Sequence, residues 1–235
     1  MIFVFVPARN IDEAIPALLS FLPNFSKDTE KKLFLYLTVN NLENNDHNQI
    51  LDLYPQYQKE VVWNPYTLKN CNKSFPLFFL KTMQKFRKFL TGNFPDYEEN
   101  RIILTNSDIY IQDPTKLIEY PFEDLPVVPD ILPKYDEFPG EWEKDNPKFW
   151  EAYGLTIKGG CLEFMEGNLE KADSLGVSAA TGIIQSVSAS HYLGNPIKKL
   201  NDVVAFMTRK QVMVSNASTN DSLCNSLSEL VKTWK

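Results

Sequence analysis

Apolar residues fall into short continuous runs separated by polar, turn-forming stretches. Residues 2–6 (IFVFV), 33–39 (LFLYLTV) and 102–104 (IIL) are three such runs. They are short, β-branched or aromatic, and do not alternate, which predicts strands buried on both faces of a parallel sheet. Between the first two the period changes to helical. Ala14, Ile15, Ala17, Leu18, Phe21 and Leu22 line one stripe. Asn10 and Glu13 stand at N-cap spacing before it, and Pro16 must lie in its first turns or bend it. Residues 75–90 repeat the stripe through Leu80, Met83, Phe86, Phe89 and Leu90, and stop at Gly92-Asn93. A short helix is expected to end at Leu53 and a short strand to span residues 60–63, with a polar loop over 64–74. The opening of the chain therefore alternates strand and helix, the mark of an α/β fold with helices on the faces of its sheet.

The second half is less regular. Residues 109–111 form a short apolar run, and residues 115–120 allow one helical turn. Prolines at 121, 126, 129, 133, 139 and 147 predict no long element over residues 121–153. A loop of that length inside a compact domain is usually functional, and its aromatic residues argue for order. Residues 155–157 and 161–165 read as strands on either side of Gly159-Gly160. Residues 181–189 read as another β-branched strand, 191–196 as a loop, and 221–235 as an amphipathic helix docked on the body. The division expected is a single domain with two halves, residues 1–120 and 121–235.

Charge narrows the partners. The net charge is -6, without the basic face that a nucleic-acid binder carries. Lys81, Lys85, Arg87 and Lys88 cluster on the second helix and read as its solvated face. Cys71, Cys161 and Cys224 are odd in number and widely spaced, which gives neither a metal site nor a disulfide framework and fits a reducing compartment. The first apolar run is too short for a signal peptide or a transmembrane segment. The expectation is a cytoplasmic protein.

The candidate chemistry centres on Asp108. It follows Asn106 and Ser107 at the carboxyl end of the third strand, the edge where open α/β sheets bind ligands. A carboxylate there suits a hard divalent cation. The same three residues also suit a plain turn. Gly159 and Gly160 are adjacent in a chain with only 9 glycines. They predict either a close backbone approach to a ligand or a β-bulge.

Four motifs then resemble the GT-A fold nucleotide-sugar glycosyltransferases, family 2 most closely. Val6-Pro7-Ala8-Arg9-Asn10, followed by Ile15-Pro16-Ala17-Leu18-Leu19, is similar to the family's opening strand, loop and helix. Val39-Asn40-Asn41 occupies the slot of its second nucleotide loop, where an Asp is usual. Leu104-Thr105-Asn106-Ser107-Asp108 resembles its Asp-x-Asp signature in the Asn-x-Asp form of the rhamnosyltransferase-like branch. Gly159-Gly160-Cys161-Leu162-Glu163-Phe164 resembles the Gly-Gly strand that lines donor sugar and acceptor. His191-x-x-Gly194 with Lys198 looks like the His-x-x-Gly-x-x-Lys element of retaining enzymes such as glycogenin, with one extra residue before the lysine.

The resemblance implies a GT-A type, Rossmann-like, mostly parallel sheet. It implies a metal-dependent transferase moving a sugar from a UDP- or dTDP-sugar donor to a glycan or other hydroxyl acceptor. Asp108 and His191 would hold Mn²⁺ or Mg²⁺. Pro7, Ala8, Arg9, Asn10, Asn40, Asn106, Ser107, Gly159, Gly160, Gly194 and Lys198 would contact the nucleotide sugar. The family's acidic pair after the Gly-Gly strand is missing. Glu163, or an acid of the 121–153 segment such as Asp145, would have to be the general base. That gap keeps open a non-catalytic GT-A domain that binds nucleotide sugar or glycan. A nucleotidyltransferase fits less well, because Pro7–Asn10 lacks the glycines of its phosphate loop.

Overall fold

The computed structural model describes residues 1–7, 11–21, 33–38, 75–107, 109–132, 154–174 and 181–207. The N-cap expected at Asn10, the short helix ending at Leu53, the strand at 60–63 and the helix at 221–235 lie outside the described residues.

The first strands form where the apolar runs predict them. They are β1 (Ile2–Pro7), β2 (Leu33–Thr38) and β3 (Arg101–Leu104), with β4 (Ile109–Ile111) soon after. Helix α1 (Ile11–Phe21) carries Pro16 inside it. Helix α2 (Phe75–Asn93) ends at the Gly92-Asn93 stop. Helix α3 (Thr115–Glu119) is a single short turn.

Four elements depart from the sequence reading. The proline-rich stretch contains a strand, β5 (Val127–Leu132). It tolerates Pro129 because the register of its pairing shifts between Pro129 and Asp130, a place where a missing ladder donor is acceptable. After β6 (Leu155–Lys158) the Gly-Gly pair opens helix α4 (Cys161–Ser174), not a second strand. Cys161, Leu162, Met165 and Leu169 are buried at helical spacing, so the period was present in the residues themselves. Residues 181–189 belong to helix α5 (Thr181–Leu193), where Gln185, Ser188 and Ala189 are buried one turn apart. Packing on α4, with Asn168 Nδ2 donating to Ser188 Oγ at 2.9 Å, overrides the β propensity of that run. Lys198 begins a strand, β7 (Lys198–Met207), which its central Asn201-Asp202 concealed.

Among the described residues the strands join in one sheet in the order β2-β1-β3-β6-β5-β7-β4. The ladders β1–β2, β1–β3 and β5–β7 are parallel. Those of β3–β6, β5–β6 and β4–β7 are antiparallel. Phe3 and Phe5 of β1 point at α2 and are fully buried, with the Phe5 ring stacked on Phe86 at 5.0 Å and edge-on to Phe79 at 5.7 Å. Val4 and Val6 alternate to the other face and are buried too. Arg101 opens β3 yet is buried. Its guanidinium donates to the carbonyls of Leu117 and Tyr120 at the end of α3, where a cation meets the negative end of a helix.

One ion pair sits inside the helical layer. Arg87 Nε donates to Glu166 Oε1 at 2.9 Å, between α2 and α4. Burial nonetheless pushes the Glu166 carboxyl above its ordinary value, the arginine offsetting only part of the desolvation. Above its unfolded value of 4.5 the folded protein keeps a proton that the unfolded chain has released. The stability contributed by this group is therefore present in acid and lost as pH rises through the folded value. Glu166→Gln carries no such loss. Urea unfolding at pH 4.5 and at pH 7 should show the variant gaining on the wild type as pH rises, and a gap that narrows the other way would contradict the burial argument.

Candidate functional site

Strand β1 lies between β2, which follows it in sequence on one side, and β3 on the other. The chain thus reverses its direction of sheet-building at the carboxyl ends of β1 and β3. The Thr105 amide donates to the Phe5 carbonyl at 3.1 Å and continues the ladder past the strand. This bond holds the residues after Leu104 beside the end of β1. Pro7, the last residue of β1, is buried, and Asn106 and Ser107 are half-buried beyond β3. The Ile109 amide donates to the Asn106 carbonyl at 3.4 Å and closes a turn over this stretch. The Thr105 hydroxyl also donates to that carbonyl, at 3.3 Å. Ala8, Arg9, Asn10, Asn40, Asp108 and Asp145 lie outside the described residues.

The remaining expected residues stand elsewhere. Strand β6 runs antiparallel to β3, with Leu155 opposite Leu104 and Lys158 opposite Arg101. Gly159 and Gly160 therefore emerge at the amino end of β3, where their amides donate to the carbonyls of Asn100 (2.9 Å) and Glu98 (3.2 Å). At about 3.3 Å per strand residue, the six residues from Asn100 to Asn106 separate them by roughly 20 Å. Glu163, in the first turn of α4, is exposed (73% of its side chain) and lies 3.7 Å from Arg87. His191 is in the last turn of α5, stacked on Phe164 at 5.6 Å, and the neighbouring Tyr192 reaches Gly160. Gly194 has φ +71 and ends α5 as a left-handed cap. Lys198 Nζ lies over the Tyr120 ring at 5.3 Å, and that hydroxyl raises its pKa.

The structure thus divides the expected residues between two edges of the sheet. Pro7, Asn106 and Ser107 share the carboxyl edge. Gly159, Gly160, Glu163, His191, Gly194 and Lys198 gather at the amino edge. A cation accepts ligands at 2.0–2.6 Å, about a tenth of that separation. His191 therefore cannot share an ion with the Asn106-Ser107 turn. Among the described residues no three of His, Cys, Asp and Glu converge as a metal-holding group. Burial pushes the Cys161 thiol up to about 12, so it behaves as a core residue rather than a ligand or nucleophile.

Three features of the carboxyl edge escaped the sequence reading. Gly154 opens β6 with φ +76, and a Cβ there would meet the Pro129 ring at 2.9 Å and Ile111 Cδ1 at 3.3 Å. This is the glycine that close approach demands at that edge, and its isolation hid it. Asp130, at the register shift of β5, lies 3.6 Å from Lys199. The prolines on either side of it discouraged any strand. Ser20 of α1 accepts a hydrogen bond from the Ile111 amide at 2.8 Å, a contact no local pattern announces.

The fold is of the GT-A glycosyltransferase type. S. aureus TarS, residues 1–349, superposes with a TM-score of 0.52 at 11% identity, over 95% of this chain and 68% of that one. The galactosyltransferase LgtC, solved with donor and acceptor sugar analogues, superposes with a TM-score of 0.50 at 8% identity, over 96% of this chain and 82% of that one. At these identities the likeness defines the fold and not the chemistry. No protein-family model matches the sequence, and no curated protein matches it. Among the described residues no helix is long and apolar enough to cross a membrane.

The two adjacent glycines have separable roles. A Cβ on Gly159 would stand 2.0 Å from the Tyr97 carbonyl oxygen, a backbone atom that cannot swing away. A Cβ on Gly160 would meet only the tip of Tyr192, at 2.8 Å, and that side chain is 50% exposed. Gly159→Ala is expected to destabilise by about 3 kcal/mol and Gly160→Ala by less than about 1 kcal/mol, read from urea unfolding. Equal losses would show that the close approach is not where the geometry puts it.

Proposed function

We propose that the protein is a glycosyltransferase that binds the diphosphate of a nucleotide sugar in the crevice between Pro7 and Asn106. The observation that carries this reading is the reversal of strand order at β1, with its two flanking loops tied side by side by the Thr105–Phe5 bond. Open α/β sheets bind ligands at such a crevice. The fold likeness to a galactosyltransferase solved with donor and acceptor analogues supports it.

A departing nucleoside diphosphate carries negative charge, and a bound Mn²⁺ or Mg²⁺ would neutralise it as a Lewis acid. Asp108 would supply a carboxylate oxygen, with the diphosphate oxygens and water completing the set. Asn106 and Ser107 offer amide and hydroxyl donors to phosphate or ribose. Ala8, Arg9, Asn10 and Asn40 take the nucleoside of a UDP- or dTDP-sugar. The transferred group is a hexose or deoxyhexose, and the acceptor is a glycan or other hydroxyl. Glu163 lies on the far edge against Arg87. General-base duty in this reading falls to Asp145 or to Asp130.

The displacement of Glu163 also favours a second reading, a GT-A domain that binds a nucleotide sugar without transferring it. Turnover on a panel of UDP- and dTDP-sugars separates the two. For either, calorimetric titration of UDP should show binding at least about tenfold tighter with Mn²⁺ than without, a difference of 1.4 kcal/mol, and Asp108→Ala should abolish that gain. Equal affinity in all four combinations of protein and metal would exclude the cation-clamped diphosphate.

A further inference from the structure

Strand β4 ends the sheet and pairs only with β7 among the described residues. An edge strand leaves alternate amides pointing away from its partner. The Gln112 amide donates to Val204 of β7 at 3.0 Å. By that alternation Ile109 and Ile111 face outward, and both are fully buried. A buried amide without an acceptor costs about 1–3 kcal/mol. Each of the two has found one outside the sheet. Ile109 donates to the Asn106 carbonyl (3.4 Å), and Ile111 donates to Ser20 Oγ (2.8 Å).

Ser20 has no freedom to move away from this task. It is 1% exposed, and its hydroxyl donates in turn to the Pro16 carbonyl one helical turn back, at 2.9 Å. That back-bond holds the hydroxyl against the preceding turn of α1. The linkage thus runs from α1 through Ser20 to Ile111, and from Ile109 back to the Asn106 turn. Ile111 Cδ1 lies on its third side against the space above Gly154, where β6 begins.

We propose that Ser20 is a positioning residue for the nucleotide-sugar site: through Ile111 it ties β4, and with it the Asn106-Ser107 turn, to helix α1. The proposal rests on the nucleotide-sugar reading above and assigns the side chain that anchors its Asn106-Ser107 turn to α1. Ser20 touches neither nucleotide nor cation. It acts by removing one degree of freedom between the groups that do, and misplacement by an ångström is enough to weaken a converged site.

The test combines ligand-free amide exchange with UDP titration in Mn²⁺ on the full chain. Ser20→Ala should speed exchange not only at Ile111 but also at Ile109, and should weaken UDP binding at least tenfold. Leu169→Ala, a buried α4 position in the core cluster shared with α2, serves as a control of reduced stability and should leave UDP affinity within twofold. If Ser20→Ala does not fold, Ser20→Cys, nearly isosteric but a poor acceptor, should show the same pattern at smaller amplitude. Affinity within twofold of wild type in the serine variants overturns the proposal. So does an equal loss in Leu169→Ala, which would make Ser20 a matter of stability alone. A wild-type chain that binds no UDP contradicts the nucleotide reading itself, and this proposal with it. Faster exchange at Ile109 would still report the mechanical link.

Discussion

The hydrogen bond from the Thr105 amide to the Phe5 carbonyl holds the chain that leaves β3 beside the end of β1. β1 is a strand with a neighbour on each side and side chains buried on both faces. Its backbone has little slack, because β2 pairs along its length, β3 pairs along Ile2–Phe5, and its side chains are all buried. Whatever follows Phe5 and whatever follows Leu104 must therefore leave the sheet side by side. Helix α1 and β4 follow them in the chain and are joined to each other by the Ser20–Ile111 hydrogen bond. The crevice where β1 and β3 end is created by topology before any functional side chain is considered.

The opposite edge is built for rigidity. There the Arg101 guanidinium caps the end of α3, Gly159 lets the turn after β6 press against the Tyr97 carbonyl, and Gly194 ends α5. Asn195 Nδ2 donates to the carbonyls of Glu123 and Leu125, both at 3.1 Å. These contacts tie the loops of this edge to one another. Several residues that the sequence marks as site candidates stand at this edge. His191, in the last turn of α5, is stacked on the Phe164 ring.

What could be read from the residues follows from how local the determining force is. β1, β2 and β3 were legible because full burial demands continuous apolar runs, and helix α2 because its stripe is long and ends in Gly-Asn. Helices α4 and α5 were misread because a pair of glycines and a β-branched run suggested extended backbone. Their buried faces, Cys161-Leu162-Met165-Leu169 and Gln185-Ser188-Ala189, make sense only against each other. β5 and β7 support one another in the same way, the first interrupted by Pro129 and the second by Asn201-Asp202. The site was half legible. Pro7, Asn106 and Ser107 could be placed because strand ends are predictable. The two glycine motifs could not, because the antiparallel direction of β6, which sends Gly159 to the far edge, is a property of the whole sheet. Ser20 and Gly154 left no local trace at all.

The central claim is that ligand chemistry belongs to the carboxyl edge of β1 and β3. A crystal of the full chain grown or soaked with UDP and Mn²⁺, with manganese located by its anomalous scattering, tests it most directly. The account predicts one manganese peak beside the Asn106-Ser107 turn, with the diphosphate between it and Pro7. A peak beside His191 and Gly160 instead, or nucleotide density at that edge, would contradict it.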